Sequence, residues 1–251
     1  MTYKAPIPMP MGIDVNDKWL YKAAGIAAYA ISLIFIIEIG LGVYLGKLPG
    51  SSGLAWLSYV NAKNGAWSAL IAVTVISDLL SFLVYLSLYT ALRPVSRGLI
   101  LAGTILACFG SLLDEVTANA NFASLLTLGH QYAAAGTAAQ RAADVAAADY
   151  ATAMLGSWLE SIFAFAIPAV AFVLVGIVML RSPFGKRIAY MAIAAGVFDL
   201  ISASGWGLAT LLNTVLQAIF FVLVGRSLYF RYAAPAPVVP TEQLSENPLG
   251  V

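Results

Sequence analysis

"LYKAAGIAAYAISLIFIIEIGLGVYLG", residues 20–46, is apolar except for a few small polar residues and two charges, Lys22 and Glu38. A helix rises about 1.5 Å per residue, so a run of this length crosses a hydrocarbon core of about 30 Å. Five more apolar runs follow at about 67–92, 98–118, 155–180, 187–205 and 206–229. Composition agrees with them. The 251 residues are 61% hydrophobic and only 10% charged, against about 25% charged in a soluble domain. The expected fold is an all-α, single-domain bundle of six transmembrane helices spanning residues 19–231.

Several function classes drop out early. A net charge of +1 argues against a nucleic-acid partner. One cysteine, Cys108, rules out an intrachain disulfide and any CxxC motif. One histidine, His130, excludes bis-histidine haem, a zinc or copper site built on several imidazoles, and a di-iron pair of Glu-x-x-His motifs. No GxGxxG, Walker or GxSxG pattern occurs. An enzyme is therefore the least supported class. No cofactor is predicted, and a bound cation is the ligand the composition leaves open.

The ends read as tails. Residues 1–18 are polar, with no apolar stretch followed by a small-residue cleavage site. Residues 232–251 are rich in proline and should be extended on their own. Between the third and fourth runs lies an outer connection, about 119–153. Its second half is alanine-rich and favours continuation of the fourth helix beyond the membrane, so that the third and fourth runs form an outward hairpin, as a solvated cap or a substrate lid. The "SASGWG" stretch at 202–207 reads as a tight turn or as a break in one helix. Gly40, Gly42 and Gly46 look like small-residue helix packing.

Basic residues fix an expected orientation. With the N-terminus cytoplasmic, Lys4, Lys18, Lys22, Arg93, Arg97, Arg181, Lys186, Arg187, Arg226 and Arg231 lie inside, while Lys47, Lys63 and Arg141 lie outside. That asymmetry matches the positive-inside rule and puts both termini in the cytoplasm. Trp19, Tyr21, Tyr89, Tyr190 and Tyr229 would form the inner aromatic belt, and Tyr44, Trp67, Trp158 and Trp206 the outer one.

Every run carries a polar group at middle or outer depth: Glu38, Asp78, the adjacent Asp114 and Glu115 in "GSLLDEVTANAN", Glu160, Asp199, then Asn213 and Gln217. No lysine or arginine accompanies them. A carboxylate facing lipid costs about 2.5–3.5 kcal/mol, so these groups should face inward. Single acids can serve as hydrogen-bonding cross-links between helices. Six on one half of the bundle point instead to a polar site that holds protons, a cation or water. Asp114 and Glu115 are about 100° apart on a helix, so one should face the bundle and the other an interface or neighbouring helix. "DLLS" from Asp78 and "DLIS" from Asp199 suggest an inverted three-plus-three repeat, though Glu38 and Glu160 break its register.

"LYTALRPVSRGLILAG" and "VLVGIVMLRSPFGKRIAYMAIAAG" resemble a prokaryotic membrane family, domain of unknown function 4386, over roughly residues 19–231. The resemblance implies a helix bundle in the plasma membrane of a bacterium or archaeon. Asp78 is the acid that matches the family pattern, and no catalytic residue transfers. Two functions remain. One is a carrier or receptor whose outer cavity binds a cation, a proton-coupled solute or a small amine. The other is a non-catalytic accessory subunit of a larger membrane assembly, such as a respiratory one, in which the acids hold helices, partner subunits or a second copy.

Overall fold

A computed structural model describes residues 18–205 and 207–232; the expected tails, Lys4 and the expected belt residue Trp206 lie outside the described residues. Among the described residues the chain is helical without strands. The helices are α1 (Lys18–Leu45), α2 (Gly53–Ala62), α3 (Asn64–Leu92), α4 (Arg97–Asp114), α5 (Ala120–Ala134), α6 (Ala138–Leu155), α7 (Trp158–Ser161), α8 (Ile167–Met179), α9 (Lys186–Ser202) and α10 (Gly207–Ser227). Wider π turns join α4 to α5 (Glu115–Asn119) and α7 to α8 (Ile162–Ala166), and extend α10 (Leu228–Tyr232). Five continuous stretches are long and apolar enough to cross a membrane: Lys18–Leu45, Asn64–Leu92, Arg97–Ala134, Trp158–Met179 and Gly207–Phe230.

Six helices close a ring in which α1, α3, α4, α8, α9 and α10 each pack on the next and α10 returns to α1. Local sequence explains the corners. Pro94 follows α3 by two residues and cannot continue it. "SASG" folds back through Gly205, whose φ of 78° needs a residue without a side chain, so α9 and α10 form a hairpin. Tyr232 packs on both Tyr21 (5.4 Å) and Phe184 (5.2 Å), gathering the start of α1, the α8–α9 corner and the end of α10 at one pole. That pole is basic, with Lys18, Lys22, Arg93, Arg97, Arg181, Lys186, Arg187 and Arg226 around it.

The ring closes tightly because small residues let backbones approach. A Cβ on Gly196 would lie 2.6 Å from the Ala169 carbonyl oxygen, and one on Gly225 2.9 Å from that of Gly25. The glycines expected to pack do not: Gly40 and Gly42 have open space around them, and Gly46, at φ 71°, ends α1.

The opposite pole carries a helical cap. The connection at 119–153 is a helical hairpin, as expected: the third run continues through the π turn into α5, and α6 returns. Thr137 and Gln140 start α6 with a reciprocal capping box. Gly156 then breaks the chain, and Ser157 caps α7 by accepting from the Glu160 amide at 3.2 Å, so α6 is not a simple extension of the fourth helix. The short α2, which hydropathy did not suggest, fills the angle between α5 and α6. Trp56, Leu57, Val60, Trp67, Leu125, Ala148 and Ala151 form this second core. Gly53 donates its amide to Asp149 Oδ1 at 2.6 Å, and Lys63 Nζ caps α1 at the Tyr44 and Leu45 carbonyls, at 3.2 and 2.5 Å. Tyr59 donates to the Leu45 carbonyl at 2.8 Å, and burial raises its pKa, keeping the phenol a donor.

Gly196→Val should lower stability by about 1–3 kcal/mol, because the clash is with backbone, whereas Gly42→Ala should leave it almost unchanged. Thermal unfolding of both variants in detergent reads the difference.

Candidate functional site

The two π turns shape the site. At Glu115–Asn119 the Ala120 amide reaches the Glu115 carbonyl, and at Ile162–Ala166 the Ile167 amide reaches the Ile162 carbonyl. Pro168 supplies a reason for the second: without an N–H it leaves the Ala164 carbonyl without its helical donor. Gly110 takes Pro168 against it, a Cβ there falling 3.2 Å from the proline ring. Such bulges are frequent at functional sites, since they turn side chains away from the regular helical register.

Beside them, inside the ring, lies a cavity of about 720 Å³. Phe35, Tyr85, Phe172 and Phe221 line its deep end, and Leu48–Ser51, Trp56, Leu155 and Gly156 its cap end. Below, Phe172, Phe220 and Phe221 interlock at centroid distances of 5.4–6.5 Å, and the packed core fills the basic half of the bundle. Five carboxyls line the cavity, from Glu38, Asp78, Asp114, Glu160 and Asp199, together with the amide of Gln217. Among the described residues no lysine, arginine or histidine lines it.

The carboxyls fall into three groups. Near the cap, Thr74 Oγ1 donates to Glu38 Oε1 at 3.2 Å, while Asp114 sits close to both Glu38 and Glu160. Glu160 is 8% exposed and lies beside Thr117. Deeper, Asp78 sits beside Glu115 and Ser111, whose hydroxyl is 3.2 Å from that of Ser81. Asp78 Oδ2 and Glu115 Oε1 are buried with no hydrogen-bond partner, an arrangement that a proton or cation between the carboxyls would satisfy. At the far side Asn213 Nδ2 donates to Asp199 Oδ1, and Gln217 Nε2 reaches both Asp199 oxygens at 3.4 Å.

Two of the eight residues singled out from the sequence are not on the cavity wall. Glu115 turns towards Asp78 on α3, which divides it from Asp114 as helical geometry requires. Asn213 is a buried partner of Asp199. His130 is exposed, 3.0 Å from the Asn64 side chain, and does not line the cavity.

Sequence reasoning missed Thr74, Tyr85, Trp56, Trp67, Asn119 and Phe122, all on the wall. A signal existed for some of them. Trp67, Thr74, Asp78, Ser81 and Tyr85 form a stripe on α3 at helical spacing. Trp67, expected in the outer belt, is only 2% exposed and stacks on Phe122 at 5.0 Å, and Tyr21, expected in the inner belt, is 1% exposed. Trp19, Tyr44, Trp158 and Tyr190 are exposed as a belt requires.

Among the described residues no three His, Cys, Asp or Glu side chains converge to hold a metal ion. Fold and site define a class: an all-helical, membrane-embedded bundle with a carboxyl-lined cavity beneath a helical cap. Comparison of the chain with protein-family models, curated proteins and solved structures found no match.

Asp199→Ala should destabilise the bundle by about 1–3 kcal/mol, because it strips the buried Asn213 amide of its acceptor. Asp199→Asn, which keeps an acceptor oxygen, should cost less. Chemical unfolding in detergent compares them.

Proposed function

We propose that this chain binds a small cation or amine in the cavity, as a carrier or receptor that takes its solute from the cap side. The observation that carries this reading is the wall itself: five carboxyls without a cationic side chain among the described lining residues. A low-dielectric cavity of one charge sign concentrates counter-ions, and acids inside a membrane bundle mark ion and solute paths more often than other positions do. The scattered carboxyls and aromatic walls favour an organic amine over a metal ion.

In this reading α9, 17 residues long and packed between α8 and α10, is the sixth crossing. The basic pole faces the cytoplasm and the cap faces outside. The resemblance to domain of unknown function 4386 adds a prokaryotic plasma membrane. With Cys108→Ser as background, Ala139→Cys in α6 should react with an impermeant maleimide on intact cells. Arg181→Cys should react only after permeabilisation.

The function is tested with n-hexylamine titrated calorimetrically into the protein in nanodiscs, with empty discs subtracted. Saturable binding is expected, weakened about tenfold or more, some 1.4 kcal/mol, by Asp114→Asn combined with Glu160→Gln. Absence of saturable binding, with stoichiometric partner proteins retained through gentle purification, would replace this reading with the accessory subunit.

A further inference from the structure

The carboxyls describe one end of the ligand, and the cap end of the same cavity describes the other. Trp67 lines the cavity, is 2% exposed, and its Nε1 is buried with no hydrogen-bond partner. An indole N–H is a donor only, so an acceptor must come from elsewhere. Asn119, in the π turn that joins α4 to α5, also lines the cavity, is 7% exposed, and its Nδ2 is likewise buried without a partner. Phe122, one turn beyond Asn119, stacks on Trp67 at 5.0 Å, so the two residues belong to neighbouring parts of the same wall. Native proteins leave few buried donors unmet, and each specific case asks for a missing partner.

The spacing sets a length. Trp67 and Thr74, the residue that holds Glu38, are seven positions apart on α3, a rise of about 10 Å. Leu70 and Ile71 lie on the wall between them. The Trp67 end of the wall therefore wants an acceptor, the far group wants a cation, and the path between them is apolar. An anionic acceptor is disfavoured by five carboxyls in the same cavity, so the acceptor is a neutral oxygen.

We infer that the ligand is an elongated organic monocation, its ammonium held by Glu38, Asp114 and Glu160 and a neutral acceptor oxygen, about 10 Å away, held by Trp67 and Asn119. This rests on the proposed cation-binding role and deepens it. The apolar stem runs along Leu70 and Ile71, and Trp56 and Phe122 flank the acceptor end. A volume of about 720 Å³ accommodates a molecule of that size.

Three probes test it in nanodiscs: N-(6-aminohexyl)acetamide, which carries both groups at this separation, n-hexylamine, which lacks the acceptor, and N-hexylacetamide, which lacks the cation. The bifunctional probe should bind about tenfold tighter than n-hexylamine, and N-hexylacetamide weakest. Trp67→Phe and Asn119→Leu should each remove most of that gain, so that the ratio of bifunctional-probe to n-hexylamine affinity falls towards one, and saturable n-hexylamine binding by both variants shows that they fold. Equal binding of the two amines, or a gain that survives both substitutions, overturns the inference and leaves the cation-binding role standing. Failure of both amines to bind overturns the two together.

Discussion

Carboxyl groups inside an apolar bundle must find protons, cations, water or hydrogen-bond donors, because lipid offers none of these. In this protein Glu38, Asp78, Asp114, Glu160 and Asp199 share one cavity whose described wall holds no cationic side chain. The polar residues around them are arranged accordingly. Thr74 answers Glu38, and Asn213 and Gln217 answer Asp199. Ser111 accompanies Asp78. Only part of the acceptor capacity is met this way, and the remainder is the physical basis of the proposed preference for a positive guest.

The rest of the fold keeps that site polar at one end and sealed at the other. Close backbone contacts at Gly25, Gly196 and Gly225 draw the ring together. Aromatic packing among Phe172, Phe220 and Phe221 then closes the cavity towards the basic pole. At the other pole the cap is a small core of its own, tied to the bundle through Trp56, Trp67 and Phe122. The same aromatic side chains therefore hold the cap down and line the cavity beneath it. Cap packing and the shape of the cavity are in this way coupled through a few rings.

Glu115 shows how local backbone and site chemistry interact. Next to Asp114 in sequence, it points to a different surface, because adjacent helical residues lie about 100° apart and the π turn that begins with it shifts the register further. Its carboxyl meets Asp78 on α3, while Asp114 lies close to Glu38, Glu160 and Asp78. One pair of adjacent acids thus links the two nearer carboxyl groups of the cavity.

The membrane-embedded helical bundle and the inward acids were legible in the sequence, since both follow from one-dimensional patterns: long apolar runs, and charges too costly to leave in lipid. The break at 202–205 was legible too, as local backbone chemistry, whereas Gly46, expected to pack between helices, ends α1 instead. The packing of the cap was not legible. Helices α2, α5 and α6 are short or only weakly apolar, and what stabilises them is mutual burial of residues such as Trp56, Leu125 and Ala148. Nor could hydropathy distinguish Trp67 in a belt from Trp67 in a core, because an indole near a helix end suits both. Which glycines make close contacts, and which of eight polar residues meet in one cavity, depends on helix rotation and neighbour identity. Those are set only when the ring closes, so tertiary structure alone decided them.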